Sequence, residues 1–385
     1  MATGTVKKRG ETWTIIYREP PDEDGNRRQR WKGGYRTERE AQRALRQVLT
    51  AQDEHRYVRP ERLTFKQLCE KYLPAIEGTR RASTIEVYQR TLALYVYPAV
   101  GGVRVQDLSP DRLDRLYRSL ATERKTDDGR KLKALKPATI QLVHAIVGGA
   151  LKWARRHRIV AVNVAELADV PSIPAKQVEA WPAEFVHCFI AHTKDERLGA
   201  MWRFLALTGC RRGEAAGLRW ALVDLDAGAA RIEQQLVQLA TGLTLAPPKS
   251  AAGVRTIPLD PGTVQALRDL QAAQDVERAL WGDAYQDGGF VFAHEDGRPL
   301  SPSSLSQMFQ VRRKAAGLPP LHLHGLRHSA ASAMALKLNV GRETLAKALG
   351  HASARTASAY YVHADSADVG AAVTGWAEAV GNVAR

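Results

Sequence analysis

Three hydrophobic rhythms succeed one another along the chain, and each predicts its own kind of element. Near the N-terminus Trp13, Ile15 and Tyr17 alternate with Thr14, Ile16 and Arg18, the two-residue period of a strand. The turn-forming run Pro20-Pro21-Asp22-Glu23-Asp24-Gly25-Asn26 follows, then a second extended run from Arg27 to Tyr35. Thr37 with Glu40 three residues later forms a capping box, and Ala41, Ala44, Leu45, Val48 and Leu49 mark one apolar helical stripe. Residues 1–58 therefore read as a small sheet backed by one helix.

The rhythm then becomes helical almost without interruption over residues 63–170. Ser83 and Glu86 predict a second capping box ahead of a stripe that includes Tyr88, Leu92 and Tyr95. Ser109-Pro110 predicts a helix start, with Leu113, Leu116, Tyr117 and Leu120 on its inner face. Residues 121–136 are polar and lysine-rich, a loop. A long helix follows from Pro137 to Arg158, apolar at Ile140, Val143, Val147 and Leu151, with Lys152, Arg155, Arg156 and Arg158 in its last turns. Those cations suit the helix dipole and equally suit phosphate contacts.

Pro171 and Pro174 mark a linker, and a third pattern occupies residues 178–385. Helices resume through Leu207, β-prone pieces follow around Trp220–Leu225, Arg231–Val237 and Val254–Leu259, and three helical stretches are expected at the end. The fold class is multidomain, mainly α with small antiparallel β-sheets.

Charge sharpens this division. The formal net charge is +15 over 385 residues. Residues 1–62 carry +5, residues 63–178 carry +9, and the remainder carries +1. A merely soluble basic protein accounts for the total but not for the split, which fits a front that grips a polyanion and a back that places few cations locally. Arg27, Arg28, Arg30 and Lys32 on the small sheet suit a DNA groove, although a solvated basic hairpin would look the same. Cys69, Cys188 and Cys210 lie scattered without ligand spacing, as in a reducing compartment. No signal peptide is visible, and no apolar run approaches the ~20 residues that span a bilayer. A cytoplasmic, nucleoid-associated location is the expectation, with no membrane partner.

Chemistry concentrates in the third region. His324 and Arg327, in HGLRH, are three apart and share a helix face. A second helix from Arg342 ends at Leu349, with Gly350 as its C′ residue and His351 next. Tyr360 and Tyr361 follow nine and ten residues after that histidine. Upstream, in LTGCRRGE, a glycine break precedes Arg211 at a helix start, and Glu214 is placed to orient it. In PKSAAGVRTIPL the pattern predicts a β-hairpin whose tip carries Lys249. Singly, each fragment has an ordinary structural reading, since His and Arg at that spacing and lysine at a hairpin tip are common. His322 and His324 form an H-x-H pair, but no acidic or cysteine partner stands at ligand spacing, so no metal is expected.

In this order the motifs TGCRRGE, PKSAAGVRTIPL, HGLRH, LGH and a tyrosine resemble the signature of the tyrosine recombinases, the phage-integrase family. The likeness extends along essentially the whole chain to integrases of the lambda type. It implies an arm-type DNA-binding module at residues 1–58, a helical, SAM-like core-binding domain at 63–170, and a mixed α/β catalytic domain at 178–385. Gly325 departs from the aspartate common at its position, and Ser329 stands where threonine is usual; neither change removes a catalytic atom.

The resemblance implies a site-specific DNA recombinase that cleaves and rejoins DNA through a 3′-phosphotyrosine, integrating and excising a mobile element. Its catalytic residues would be Arg211, Lys249, His324, Arg327, His351 and a tyrosine. Adjacent helical residues point about 100° apart, so Tyr360 and Tyr361 cannot both face the phosphate. Tyr361-Val362-His363 matches the family's pattern of tyrosine, one residue and histidine, which favours Tyr361. The chemistry suits these residue types. Guanidinium forks from Arg211 and Arg327 neutralise non-bridging oxygens. His324 can accept the tyrosine's proton, and the resemblance makes Lys249 the general acid and His351 a phosphate-oxygen donor. No cofactor is required, because the phosphotyrosine conserves the bond energy.

Double-stranded DNA at core-type and arm-type sites is the implied partner, bound by a homotetramer. The family adds an expectation of an excision factor and a host DNA-bending protein. Three other readings stand beside this one. A chromosome or plasmid dimer resolvase of the same family usually lacks the arm module, a type IB topoisomerase would not need it, and a catalytically silent DNA-binding protein would not need the full polar set.

Overall fold

The structure is a computed structural model that describes residues 3–21, 25–54, 57–125, 129, 131–173, 179–336, 342–350 and 366–381. It divides into two compact units, Met1–Ala175 and Lys176–Arg385.

The first unit begins with an antiparallel sheet in the order β1 (Gly4–Arg9), β2 (Thr12–Arg18), β3 (Gln29–Tyr35). Helix α1 (Glu38–Asp53) covers one face, and Ile15, Tyr17, Ala41 and Leu45 are buried between them. The expected capping box forms: the Thr37 side chain accepts from the Glu40 N–H at 3.2 Å while Glu40 Oε2 accepts from the Thr37 N–H at 3.4 Å. Strand β1 has no alternating signal, because Val6 is the lone large apolar side chain in GTVKKR. Its six-residue register with β2 makes it a strand through main-chain pairing instead. Of the four cations expected on the sheet, Arg27 and Arg28 precede β3, and Arg30 is committed to the protein itself, donating to the buried Glu19 at 2.7 Å.

The helices α2 (Phe65–Glu77), α3 (Ala82–Thr91), α4 (Tyr97–Val100), α5 (Pro110–Leu120) and α6 (Pro137–Arg156) enclose a separate core around Phe65, Leu68, Leu92, Leu113 and Val147. The Ser83–Glu86 capping box does not form. The cap position falls on the extended Arg81, Ser83 lies inside the first turn, and burial of Ile85 sets where the helix begins. A capping box not foreseen joins Thr64 and Gln67 at the start of α2. Helix α6 stops at Arg156 rather than Arg158, because Arg158 adopts a left-handed φ of 56° and the Ile159 N–H turns back to the Ala154 carbonyl at 2.9 Å. The lysine-rich stretch is more than a loop, since β4 (Arg124–Lys125) pairs with β5 (Lys131–Leu132).

The second unit opens with α7 (Ala183–Thr193) and α8 (Gly199–Thr208), then the short α9 (Arg212–Ala216). Helix α8 is apolar and buried except at Arg203, which pairs with Asp260, so it forms the spine of the core, with Phe189, Phe309 and Trp376 packed around it. Strands β6 (Val223–Asp224), β7 (Ala229–Ile232) and β10 (Arg255–Pro258) form one sheet, while β8 (Gln235–Leu239) and β9 (Gly242–Ala246) form a separate hairpin. This corrects the sequence expectation. The hairpin tip is Ala240-Thr241, and Lys249 instead follows β9 in the loop that crosses to β10. Pro247 and Pro248 explain the change, since consecutive prolines remove the N–H groups that a continuing strand would pair.

Among the described residues five helices follow the strands, not three: α10 (Pro261–Trp281), α11 (Pro302–Ala315), α12 (Leu323–Leu336), α13 (Arg342–Leu349) and α14 (Ser366–Gly381). No helix of the described residues is long and apolar enough to cross a membrane.

Candidate functional site

Helix α8 must end sharply for the site to exist. Gly209 supplies the ending with a left-handed φ of 62°. A Cβ there would also come within 2.9 Å of Leu349, so glycine lets α13 approach. Arg211 then sits extended at the cap of α9. Its N–H donates to Glu214 Oε2 at 3.1 Å and its Nη1 to Glu214 Oε1 at 2.6 Å. Glu214 therefore does orient Arg211, from a position only 1% exposed. Burial opposes charge on Glu214, but the adjacent Arg255 and Arg211 outweigh it and hold the carboxyl down to about 2.

Arg327 comes from α12 and is 4% exposed. Its Nη1 donates to the Gly209 carbonyl at 2.7 Å, and its Nη2 donates to the Leu349 carbonyl. Arg211 Nη2 donates to the next carbonyl, Gly350, at 2.9 Å. Two guanidinium groups separated by 116 positions thus meet at the C-terminal end of one helix. Carbonyls at a helix C-terminus carry partial negative charge and attract cations, which offsets part of the repulsion between the arginines. Gly350 takes the expected C′ place, with φ of 64°.

His324 lies one turn before Arg327 and its ring meets the ring of His328 edge to face at 4.8 Å. The residue as a whole is exposed, yet desolvation of its ring and the nearby His328, Arg327, Arg211 and Lys249 lower its pKa to about 4. The imidazole is therefore neutral at pH 7 and has a nitrogen free to accept a proton. Lys249 belongs to this cluster through its charge on His324, although its side chain is exposed on the loop. His351, Tyr360 and Tyr361 lie outside the described residues. Among the described residues no group of three or more His, Cys, Asp or Glu is placed to hold a metal ion.

The two departures from the family pattern have local explanations. A Cβ at Gly325 would overlap the Leu321 side chain, so the packing of that leucine leaves no room for aspartate as the site stands. Ser329 Oγ accepts from the Trp181 N–H at 2.7 Å and donates to the Gly325 carbonyl at 3.1 Å, a structural use of the hydroxyl.

One residue of the site escaped sequence reasoning. Arg255, the first residue of β10, is buried and donates from Nη2 to Glu214 Oε2 at 2.8 Å. The available signal was a lone cation in the apolar run VRTIPL, which resembles any strand-edge arginine until its partner is known.

As a whole, the arrangement offers two guanidinium groups at one helix end, a neutral imidazole that feels the charge of both, and an exposed ammonium whose charge also reaches that imidazole. That combination binds an oxyanion and moves protons beside it.

Family models, relatives and solved structures match this chain. Residues 179–367 match the model described as the phage integrase family, residues 5–52 an arm DNA-binding domain, and residues 64–121 a phage integrase N-terminal SAM-like domain. A putative prophage phiRv2 integrase of Mycobacterium tuberculosis is 31% identical over 259 residues, covering 63% of this chain. The match spans 65% of that relative's length, just under two thirds. Among solved structures, the Tn1549 transposon integrase in complex with transposon right end DNA matches with a TM-score of 0.63 and 18% identity, over 83% of this chain and 99% of that one. A lambda integrase tetramer bound to a Holliday junction matches with a TM-score of 0.55 and 17% identity, over 92% and 96%.

Proposed function

Because the chain is a member of the phage integrase family, we propose that it is a site-specific DNA recombinase that cleaves and rejoins DNA through a 3′-phosphotyrosine. It would integrate and excise a mobile element. The observation that carries this reading is the meeting of Arg211 and Arg327 on the consecutive carbonyls of Gly350 and Leu349, immediately before His351.

In this mechanism Arg211 and Arg327 hold the non-bridging oxygens of the scissile phosphate, and their worth rises as the pentavalent transition state gathers charge. Tyr361 attacks phosphorus, its phenolic proton passing to His324, whose lowered pKa leaves it unprotonated before DNA binds. The 5′-oxygen departs with a proton from Lys249. His351 donates a hydrogen bond to a phosphate oxygen. Rejoining reverses these steps with another strand's 5′-hydroxyl, so the bond energy is kept and neither ATP nor metal is consumed.

The division of labour follows three segments: residues 1–58 for arm-type sites, 63–170 for the core site and 178–385 for catalysis. The separate apolar clusters around Ile15, around Phe65 and around Trp202 support it. Double-stranded DNA is the substrate, a homotetramer the working assembly, and the nucleoid the place of work. An excision factor and a host bending protein would complete the reaction in vivo. The arm module weighs against a dimer resolvase. Co-expressing the chain with a plasmid bearing the ends of its element and the target site tests the proposal. Recombinant junctions are expected, and their absence from a well-expressed protein would overturn it.

A further inference from the structure

We infer that Arg255 is a positioning residue that locks the Lys249 loop onto the arginine pair, an inference that rests on the recombinase reading above. The Arg255 side chain is 6% exposed, and its two terminal nitrogens serve Glu214 and the Gly253 carbonyl, the groups through which it acts. Nη2 donates to Glu214 Oε2 at 2.8 Å, and the other oxygen of that carboxylate receives Arg211 Nη1. Nη1 donates to the Gly253 carbonyl at 3.0 Å, which fixes the last turn of the loop that starts beyond Lys249.

The same guanidinium packs against the end of α13. A Cβ at Gly350 would lie 2.9 Å from Arg255 Nη1, 3.0 Å from the Ala252 carbonyl oxygen and 3.2 Å from the Gly253 Cα. The loop therefore rests on Gly350, whose own carbonyl accepts from Arg211 at 2.9 Å. Starting from Arg255, the ring runs through Glu214, Arg211 and Gly350 and back to the loop, all in contact. A planar fork can serve two acceptors at fixed angles, whereas an ammonium or an amide cannot serve both in this geometry. Lys249 is exposed and six residues upstream, so the loop base is what fixes where its ammonium is presented.

The test separates proton donation from phosphate binding. Full-length wild type, Lys249→Ala, Arg255→Lys and Arg255→Gln are given nicked attachment-site duplexes carrying either an ordinary scissile phosphate or one with sulfur at the 5′-bridging position. A 5′-thiolate leaves without needing a proton. Wild type should form covalent adduct with both, and Lys249→Ala only with the sulfur substrate; failure there would sink the recombinase reading or the role of Lys249 themselves. If those controls hold, Arg255→Lys and Arg255→Gln should lose about 100-fold in adduct rate on the ordinary substrate, and regain wild-type rate to within about 5-fold on the sulfur substrate. Equal losses on both substrates, or no loss on the ordinary one, would overturn the inference. Loss of a cooperative melt in both variants would do so too, by showing Arg255 to be a core residue and nothing more.

Discussion

Arg211 and Glu214 are joined twice across three residues, through the Arg211 main-chain N–H at 3.1 Å and through its guanidinium at 2.6 Å. One carboxylate thus sets both where the arginine begins and where its fork points. Replacing it while keeping its shape, as Glu214→Gln, leaves the buried Arg255 and the part-buried Arg211 without their counter-charge. Removing one partner of a buried ion pair typically costs about 3–5 kcal/mol, so the melting temperature should fall. Adduct formation should fall by about 10²–10³ through loss of a preorganised donor, with DNA affinity nearly unchanged. Calorimetry and a single-turnover cleavage assay check the two halves. Wild-type cleavage by Glu214→Gln would show that Arg211 is oriented by other means.

The titration of His324 gives a second prediction. In the DNA-free protein its pKa is lowered to about 4, through burial first and then its imidazole and cationic neighbours. An unfolded histidine titrates near ~6.5, so between these values the unfolded chain binds more protons. The stability contribution is therefore fully present above the unfolded value, declines as pH falls, and is gone below about 4. Ring-proton NMR should find His324 neutral at pH 6, and His324→Gln should flatten this part of the stability profile. A protonated His324 at pH 6 would contradict the role of proton acceptor.

These consequences rest on contacts that were unequally legible in the sequence. HGLRH and LTGCRRGE were readable because helical spacing alone puts His324 beside Arg327 and Glu214 within reach of Arg211. The meeting of Arg211 with Arg327 was an expectation from family resemblance, since no local rule joins residues so far apart. Arg255 was unreadable because its meaning lies in a partner 41 positions away. The Lys249 hairpin was misplaced for a related reason. β9 and β10 are neighbours in sequence but pair with β8 and β7, a choice made by packing, not by the local pattern. The Ser83 capping box failed similarly, when burial of Ile85 moved the helix start ahead of the best capping residue.

Chelation should leave strand cleavage unchanged. Arg211, Arg327 and Lys249 supply in the proposed mechanism the positive charge that a bound cation would otherwise provide. Cleavage with and without EDTA, each at matched ionic strength, measures this. Loss of activity restored by Mg²⁺ or Zn²⁺ would refute the mechanism.

A fragment that starts at Leu63 should keep core-site cleavage and lose arm-site contacts. The cut removes the Arg59 carbonyl and Glu61 N–H that bond to Gln106, but leaves the core around Phe65 intact. Efficient integration should be lost, because arm contacts raise the effective concentration of the second duplex. The full chain, neutralising more phosphates, should show the steeper fall of affinity with salt. Identical footprints and equal salt slopes would refute an arm-binding role for residues 1–58.

Covalent joining of a tyrosine of this chain to DNA can be seen in the reaction products themselves. Wild type, Tyr360→Phe and Tyr361→Phe are incubated with a nicked attachment-site duplex, and the denatured products are resolved and mapped by mass spectrometry. A 3′-phosphotyrosyl adduct is expected at Tyr361 in wild type and Tyr360→Phe, and none in Tyr361→Phe although it still binds the duplex. An adduct that survives Tyr361→Phe and vanishes in Tyr360→Phe would contradict the choice of nucleophile, and no adduct from a DNA-bound wild type would contradict the mechanism itself.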